Sequence, residues 1–97
     1  MLRISEIGSR NGDVILKLEG RLVGPWIGEL AEASSRVLNA DRALKLVLTD
    51  VAYVDREGVK LLLTLQNRRA ILEGMSPFVL EELKEAARAA KTPSTKQ

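Results

Sequence analysis

The chain opens with two segments in which apolar and polar residues alternate. The alternation is clear in residues 14–20, where Val14, Leu16 and Leu18 fall on one face, and weaker in residues 2–7. A period of two is typical of a half-buried strand. Between the segments stands an Asn-Gly pair, whose tolerance of positive φ suits a tight turn. These features predict an antiparallel β-hairpin.

The pattern changes to a helical period after the Gly24-Pro25 pair. Pro is well tolerated in the first turn of a helix, so this pair predicts a helix start. The stripe that follows has the spacing of one helix face: Ile27, Leu30, Ala31, Ser34, Val37 and Leu38. A short apolar run at residues 43–49 then predicts a central strand, followed by a turn after Asp50.

The second half repeats the alternation of helix and strand. Residues 56–69 have helical spacing, and residues 70–75 form a short apolar segment that predicts a strand. Ser76-Pro77 combines a hydroxyl N-cap residue with Pro at the first helical position, which predicts a third helix ending near Lys91. Residues 92–97 are polar and are expected to form a flexible tail.

The predicted order is β-β-α-β-α-β-α. Strands that alternate with helices indicate the α/β class, with right-handed crossovers and a mainly parallel sheet. We therefore expect about four strands, with the N-terminal hairpin strand antiparallel, and three main helices. At 97 residues the chain has the length of one small domain, which we place at residues 1–91.

Composition excludes several classes of function. The sequence has no His and no Cys, so a Ser-His-Asp triad, a thiolate nucleophile and the usual zinc ligands are impossible. We expect neither an enzyme nor a cofactor or metal. The formal net charge is only +2 and aromatic residues make up 3% of the chain, so a nucleic-acid-binding surface is poorly supplied. The sequence shows no signal peptide and no apolar run of about 20 residues, so we expect a cytoplasmic protein that does not associate with membranes.

Residues 46–62 carry a family resemblance. The segment Val54-Asp55-Arg56-Glu57-Gly58 resembles the Asp-Ser-Ser-Gly motif of the STAS domain family, which includes the bacterial anti-sigma-factor antagonists, with Arg56 and Glu57 in place of the two serines. Residues 20–23 look like the family's Gly-Glu-Leu-Asp, except that Val23 replaces the acid. Residues 72–77 look like its last strand and helix start. The resemblance covers roughly residues 10–88.

The resemblance implies a regulatory module that works by protein–protein interaction. In the family the second motif Ser is phosphorylated by an anti-sigma factor that is also a kinase, and phosphorylation releases the antagonist. The matching residue is Glu57, which has no hydroxyl. The implied partner is an anti-sigma factor, a kinase-like protein or a signalling complex, bound through residues 54–68, and a weak homodimer is also compatible with this expectation. We hypothesise that Glu57 replaces the reversible phosphate charge with a permanent one.

Local chemistry gives a structural interpretation of the same segment. Asp55 is predicted to cap the second helix by accepting a hydrogen bond from the amide of residue 57 or 58, and Glu57 to complement the helix dipole. Gly58 is expected to allow a close backbone or partner approach. The predicted partner-binding residues are Trp26, Asp55, Arg56, Glu57, Gly58, Lys60, Leu61 and Thr64.

Three of these residues also have a purely structural interpretation. Leu61 can belong to the periphery of the core, Trp26 can pack at the first turn of the first helix, and Thr64 can be a solvated helix residue. Two other functions stay open at this stage. One is a Mg²⁺ or acid–base cluster of Asp50, Asp55 and Glu57. The other is an accessory domain without catalysis that binds a nucleotide or small ligand through the helix amides at residues 56–58, although Glu57 would repel an anion there.

Overall fold

A computed structural model describes residues 2–10 and 12–91, apart from the side chains at positions 9, 10, 90 and 91. The predicted polar tail at residues 92–97 lies outside the described residues. In chain order, the elements are β1 (Leu2–Arg10), β2 (Asp13–Leu22), α1 (Pro25–Asn39), β3 (Leu44–Val54), α2 (Arg56–Asn67), β4 (Ile71–Glu73) and α3 (Pro77–Lys91).

The strands form a four-stranded sheet in the order β1-β2-β3-β4. β1 is antiparallel to β2, while β3 and β4 each lie parallel to the strand before them. This arrangement confirms the predicted α/β class and element order. The crossovers β2-α1-β3 and β3-α2-β4 step in one direction along the sheet, so α1 and α2 share one face, where they contact each other.

The core between this face and the helices is aliphatic. Leu18 and Leu46 of the sheet and Leu30 of α1, Leu62 of α2 and Val79 of α3 are fully buried in one cluster. Burying a Leu or Val side chain contributes roughly 1.5–3 kcal/mol. Apolar and polar residues alternate along β2 because its even-numbered residues face the helices and its odd-numbered residues face away.

The predicted turn after Asp50 is wrong, because β3 continues to Val54. The parallel pairing of β2 with β3 carries two register shifts, and Gly20 beside the second one has a φ of 112°. Beyond the first shift the buried residues of β3 are Val51 and Val54, three positions apart. Strict alternation is lost there, so the sequence pattern predicts a turn where the strand continues. β4 is also shorter than predicted, at three residues.

The first turn of α2 lies against the end of β2 with no room for a side chain at Gly58. A Cβ atom there would lie 2.7 Å from the carbonyl oxygen of Leu22 and 2.7 Å from Cγ1 of Val54. Both neighbours are held in the sheet, so neither can move easily. The close approach predicted for Gly58 is thus made by the chain's own backbone.

We expect Gly58→Ala to lower the free energy of unfolding by about 1–3 kcal/mol, because the added methyl group overpacks this contact. Gly28→Ala is the matched control. Gly28 lies in α1 and a Cβ there meets no atom within 4 Å, so its replacement should stabilise the protein by roughly 0.5–1 kcal/mol through helix propensity. Urea denaturation of both variants measures the difference, and equal effects at the two positions would contradict the packing argument.

Candidate functional site

Asp55 joins three elements at the carboxyl edge of the sheet. One carboxylate oxygen accepts a hydrogen bond from the Gly58 amide at 2.8 Å and the other accepts from the Gly24 amide at 3.3 Å. The backbone amide of Asp55 donates to the Leu22 carbonyl at 3.2 Å. The predicted N-cap is confirmed. The bond to Gly24 was not predicted, and it fixes the start of α2 beside the start of α1.

Glu57 projects from the first turn of α2 into solvent. Its carboxylate lies 3.4 Å from the Lys60 ammonium group, and the two side chains are 66% and 64% exposed. An ion pair this exposed contributes about 0–1 kcal/mol, so another charged group can replace either partner at little cost. The carboxylate of Glu57 lies in the first turn of α2, near the positive end of the helix dipole, which is a favourable position for an acidic residue.

The remaining predicted residues differ in accessibility. Arg56 and Thr64 are exposed, and the Thr64 hydroxyl donates to the Lys60 carbonyl at 3.0 Å. Leu61 and Trp26 are half-buried and pack against the core, as their structural interpretations expect. Whether any of these side chains also contacts a partner stays a prediction.

The accessible part of the predicted set therefore forms a strip on α2. Glu57, Leu61 and Thr64 follow each other at spacings of four and three, which places them on one helix face. Arg56 and Lys60 occupy the adjoining face. Gly58 is buried, so it shapes this surface from below by holding α2 against the sheet.

The suggested Mg²⁺ cluster is not assembled. The Asp50 carboxylate lies 3.2 Å from the Lys17 ammonium group on the sheet, and Asp55 uses both of its oxygens as acceptors from backbone amides. Within residues 2–10 and 12–91, no group of three or more acidic residues is placed to hold a metal ion. In the same part of the chain, no helix is both long and apolar enough to cross a membrane.

Sequence reasoning missed a groove between α2 and α3. Tyr53 near the end of β3 and Phe78 at the start of α3 both line it and stack on each other, with ring centroids 5.8 Å apart. A signal was present, because Tyr53 falls between the buried Val51 and Val54, and Phe78 precedes the buried Val79. Neither aromatic residue therefore occupies a core position of its element.

Comparison with solved structures identifies the fold. The sequence matches no protein-family model, and no curated protein is significantly similar to it. The anti-sigma factor antagonist SpoIIAA, in its unphosphorylated form, superposes with a TM-score of 0.71 at 16% identity, covering 93% of this chain and 99% of that one. The chain thus has the STAS-like fold that the resemblance implied.

A second structure shares the fold over a shorter region. The crystal structure of Mglu superposes with a TM-score of 0.54 at 22% identity. The match covers 77% of this chain but 19% of that one. This arrangement of strands and helices therefore also occurs within a chain that is much longer.

We expect Asp55→Ala to lower the free energy of unfolding by about 0.5–2 kcal/mol, because the cap of α2 is lost. Asp55→Asn should cost less, since Asn is also a good N-cap residue. Asp50→Ala is the control for loss of a carboxylate and should change stability by less than about 1 kcal/mol, because it breaks an exposed ion pair. Urea denaturation with unchanged m-values checks this order, which would be wrong if Asp50→Ala were the most damaging.

Proposed function

We propose that this chain is a regulatory protein–protein interaction module that resembles an anti-sigma-factor antagonist and has no catalytic activity of its own. It binds a partner protein, such as an anti-sigma factor, a kinase-like protein or a signalling complex, through the turn and helix at residues 54–68. The STAS-like fold supports this proposal, because a described protein with this fold, SpoIIAA, is an anti-sigma factor antagonist. The accessible strip on α2 supplies the contact surface.

The observation that carries the proposal is the exposed carboxylate of Glu57 at the first turn of α2. The family resemblance assigns this position to the phosphoacceptor serine. A phosphate group would bring a charge of roughly −1.5 to −2, whereas a carboxylate brings about −1 at all times. Glu57 therefore holds the surface in a state that partly mimics phosphorylation, and no kinase is needed to reach it.

The surroundings of Glu57 make its charge a fixed feature of the surface. Two residues before Glu57, the Asp55 carboxylate accepts hydrogen bonds from the Gly24 and Gly58 amides. Directly after Glu57, Gly58 packs against Leu22 of β2. A partner then meets a surface whose backbone is already ordered, so less conformational entropy is lost on binding. Among the accessible residues, Arg56, Lys60 and Thr64 provide the polar contacts around Glu57.

The structure gives less support to the alternative of a nucleotide- or small-ligand-binding accessory domain. A phosphate at the start of α2 would need free helix amides. The Gly58 amide already donates to Asp55, and the carboxylates of Asp55 and Glu57 would repel the anion. Calorimetric titration with GTP and ATP tests this alternative. We expect no saturable heat, and saturable binding that Glu57→Gln strengthens would favour it instead.

We expect removal of the charge at position 57 to change partner binding. Glu57→Gln, Glu57→Ser and Glu57→Ala should all bind the partner more tightly than wild type, by several-fold to about tenfold, because release in the family follows the gain of negative charge. The measurement is affinity capture from a lysate of the source cells, with identification by mass spectrometry and a dissociation constant for the purified partner.

The matched control is Glu29→Gln, which removes an exposed carboxylate from α1 and should leave binding unchanged. The Glu57→Ser variant is also incubated with the captured partner and ATP, and phosphate at position 57 would identify that partner as a kinase. Equal affinity of the Glu, Gln, Ser and Ala forms would contradict the proposed role of Glu57.

A further inference from the structure

The groove between α2 and α3 is a second surface, next to the strip that carries Glu57. It has a volume of about 880 Å³, and its apolar lining includes Val59, Leu63 and Ala86. On α2 the groove is lined by residues 56, 59, 60 and 63, whose spacing is that of one helix face. Glu57, Leu61 and Thr64 are not among the lining residues, so the groove lies on the neighbouring face of α2 and shares only Arg56 and Lys60 with the predicted partner surface.

Two exposed aromatic rings mark one end of this groove. Tyr53 is 45% exposed and Phe78 is 46% exposed, so neither ring belongs to the buried core, whose apolar residues are all aliphatic. The rings stack on each other at an interplanar angle of 22°. They are two of the three aromatic residues of the chain. Exposed aromatic residues of this kind are enriched among the anchors of protein interfaces, where their burial supplies much of the binding energy.

The two walls of the groove carry opposite charges. Arg56 and Lys60 stand on the α2 wall, while Glu82 and Glu85 stand on the α3 wall. Lys60 pairs with Glu57, and Glu85 pairs with Arg88. In the described part of the chain, Arg56 and Glu82 have no ion-pair partner, so each wall presents one uncompensated charge to whatever enters the groove.

We propose that the α2–α3 groove binds an amphipathic helix of a partner protein. The apolar stripe of that helix lies on Val59, Leu63 and Ala86 and against the Tyr53–Phe78 pair. Acidic residues on one flank of the helix face Arg56, and basic residues on the other flank face Glu82. An amphipathic helix in an apolar groove is a recurring mode of recognition, with anchors at spacings of three and four.

A segment of the chain itself fits these features less well. The chain's own residues 92–97, Thr-Pro-Ser-Thr-Lys-Gln, contain no large apolar side chain to cover the aromatic pair. A partner helix with an apolar stripe between flanks of opposite charge complements both the apolar lining of the groove and its two charged walls.

The proposal is tested with three fluorescent synthetic helices of about 18 residues, or five turns. All three carry the same leucine stripe. One has Glu on one flank and Lys on the other, the second has Glu on both flanks, and the third has Lys on both. We expect the mixed helix to bind at least about fivefold more tightly than either uniform helix, because each uniform helix meets one wall of like charge. Amide shifts should concentrate at residues 53–63 and 78–89.

Variants of the full chain locate the binding. Phe78→Ala should weaken the mixed helix about tenfold or more, as loss of an interface anchor does. Arg56→Glu makes both walls acidic and should switch the preference to the Lys-flanked helix. Lys84→Glu is the matched control, since Lys84 is exposed on α3 but does not line the groove. The proposal does not depend on the role of Glu57 in partner capture, because Glu57 does not line the groove.

Three outcomes would overturn the proposal. The first is equal binding of all three helices, and the second is equal weakening by Phe78→Ala and Lys84→Glu. The third is self-association of the wild type in sedimentation equilibrium that Phe78→Ala abolishes, without binding of the mixed helix, since the groove would then belong to a homodimer. Failure of the Glu57 variants to alter partner capture would leave the helix-binding result intact, so the two proposals fail separately.

Discussion

The carboxyl edge of the sheet depends on the hydrogen bonds of Asp55. Its side chain accepts from the amides that begin α1 and α2, and its own amide donates to the last residue of β2. Two helix starts and two strand ends are thus held together by one residue. The absence of a side chain at Gly58 completes this arrangement, because it lets α2 approach Leu22 and Val54 closely enough for the cap to form.

At the start of α2, residues with internal contacts stand next to residues that are exposed to solvent. Asp55 and Gly58 make their contacts within the chain, whereas Arg56 and Glu57, which lie between them in the sequence, project into solvent. One four-residue segment therefore supplies both internal contacts and exposed side chains, since successive residues at a helix start point in different directions. The carboxylate of Glu57 is thus presented to solvent from an ordered helix start.

The distribution of aromatic residues leads to a second distinction. Leucine and valine dominate the core between the sheet and the three helices. Tyr53 and Phe78 remain at the surface, where they meet each other between two helices. The Glu57 strip and the α2–α3 groove lie on adjoining faces of α2, so one partner in contact with both would enclose this helix from two sides.

The sequence by itself determined the element order, the helix starts at Pro25 and Pro77, and the cap at Asp55, because periodicity, proline and capping chemistry act over a few neighbouring residues. It also placed Glu57 at the first turn of α2. The sequence pattern wrongly predicted a turn at the end of β3, because shifts in the pairing with β2 replace the alternation of buried residues by a spacing of three positions. Only the tertiary structure decided the bond from Asp55 to Gly24, the fit of Gly58 under Leu22, and the meeting of Tyr53 with Phe78. Each of these joins residues more than 20 positions apart, and such contacts arise from the packing of elements, which local pattern does not encode.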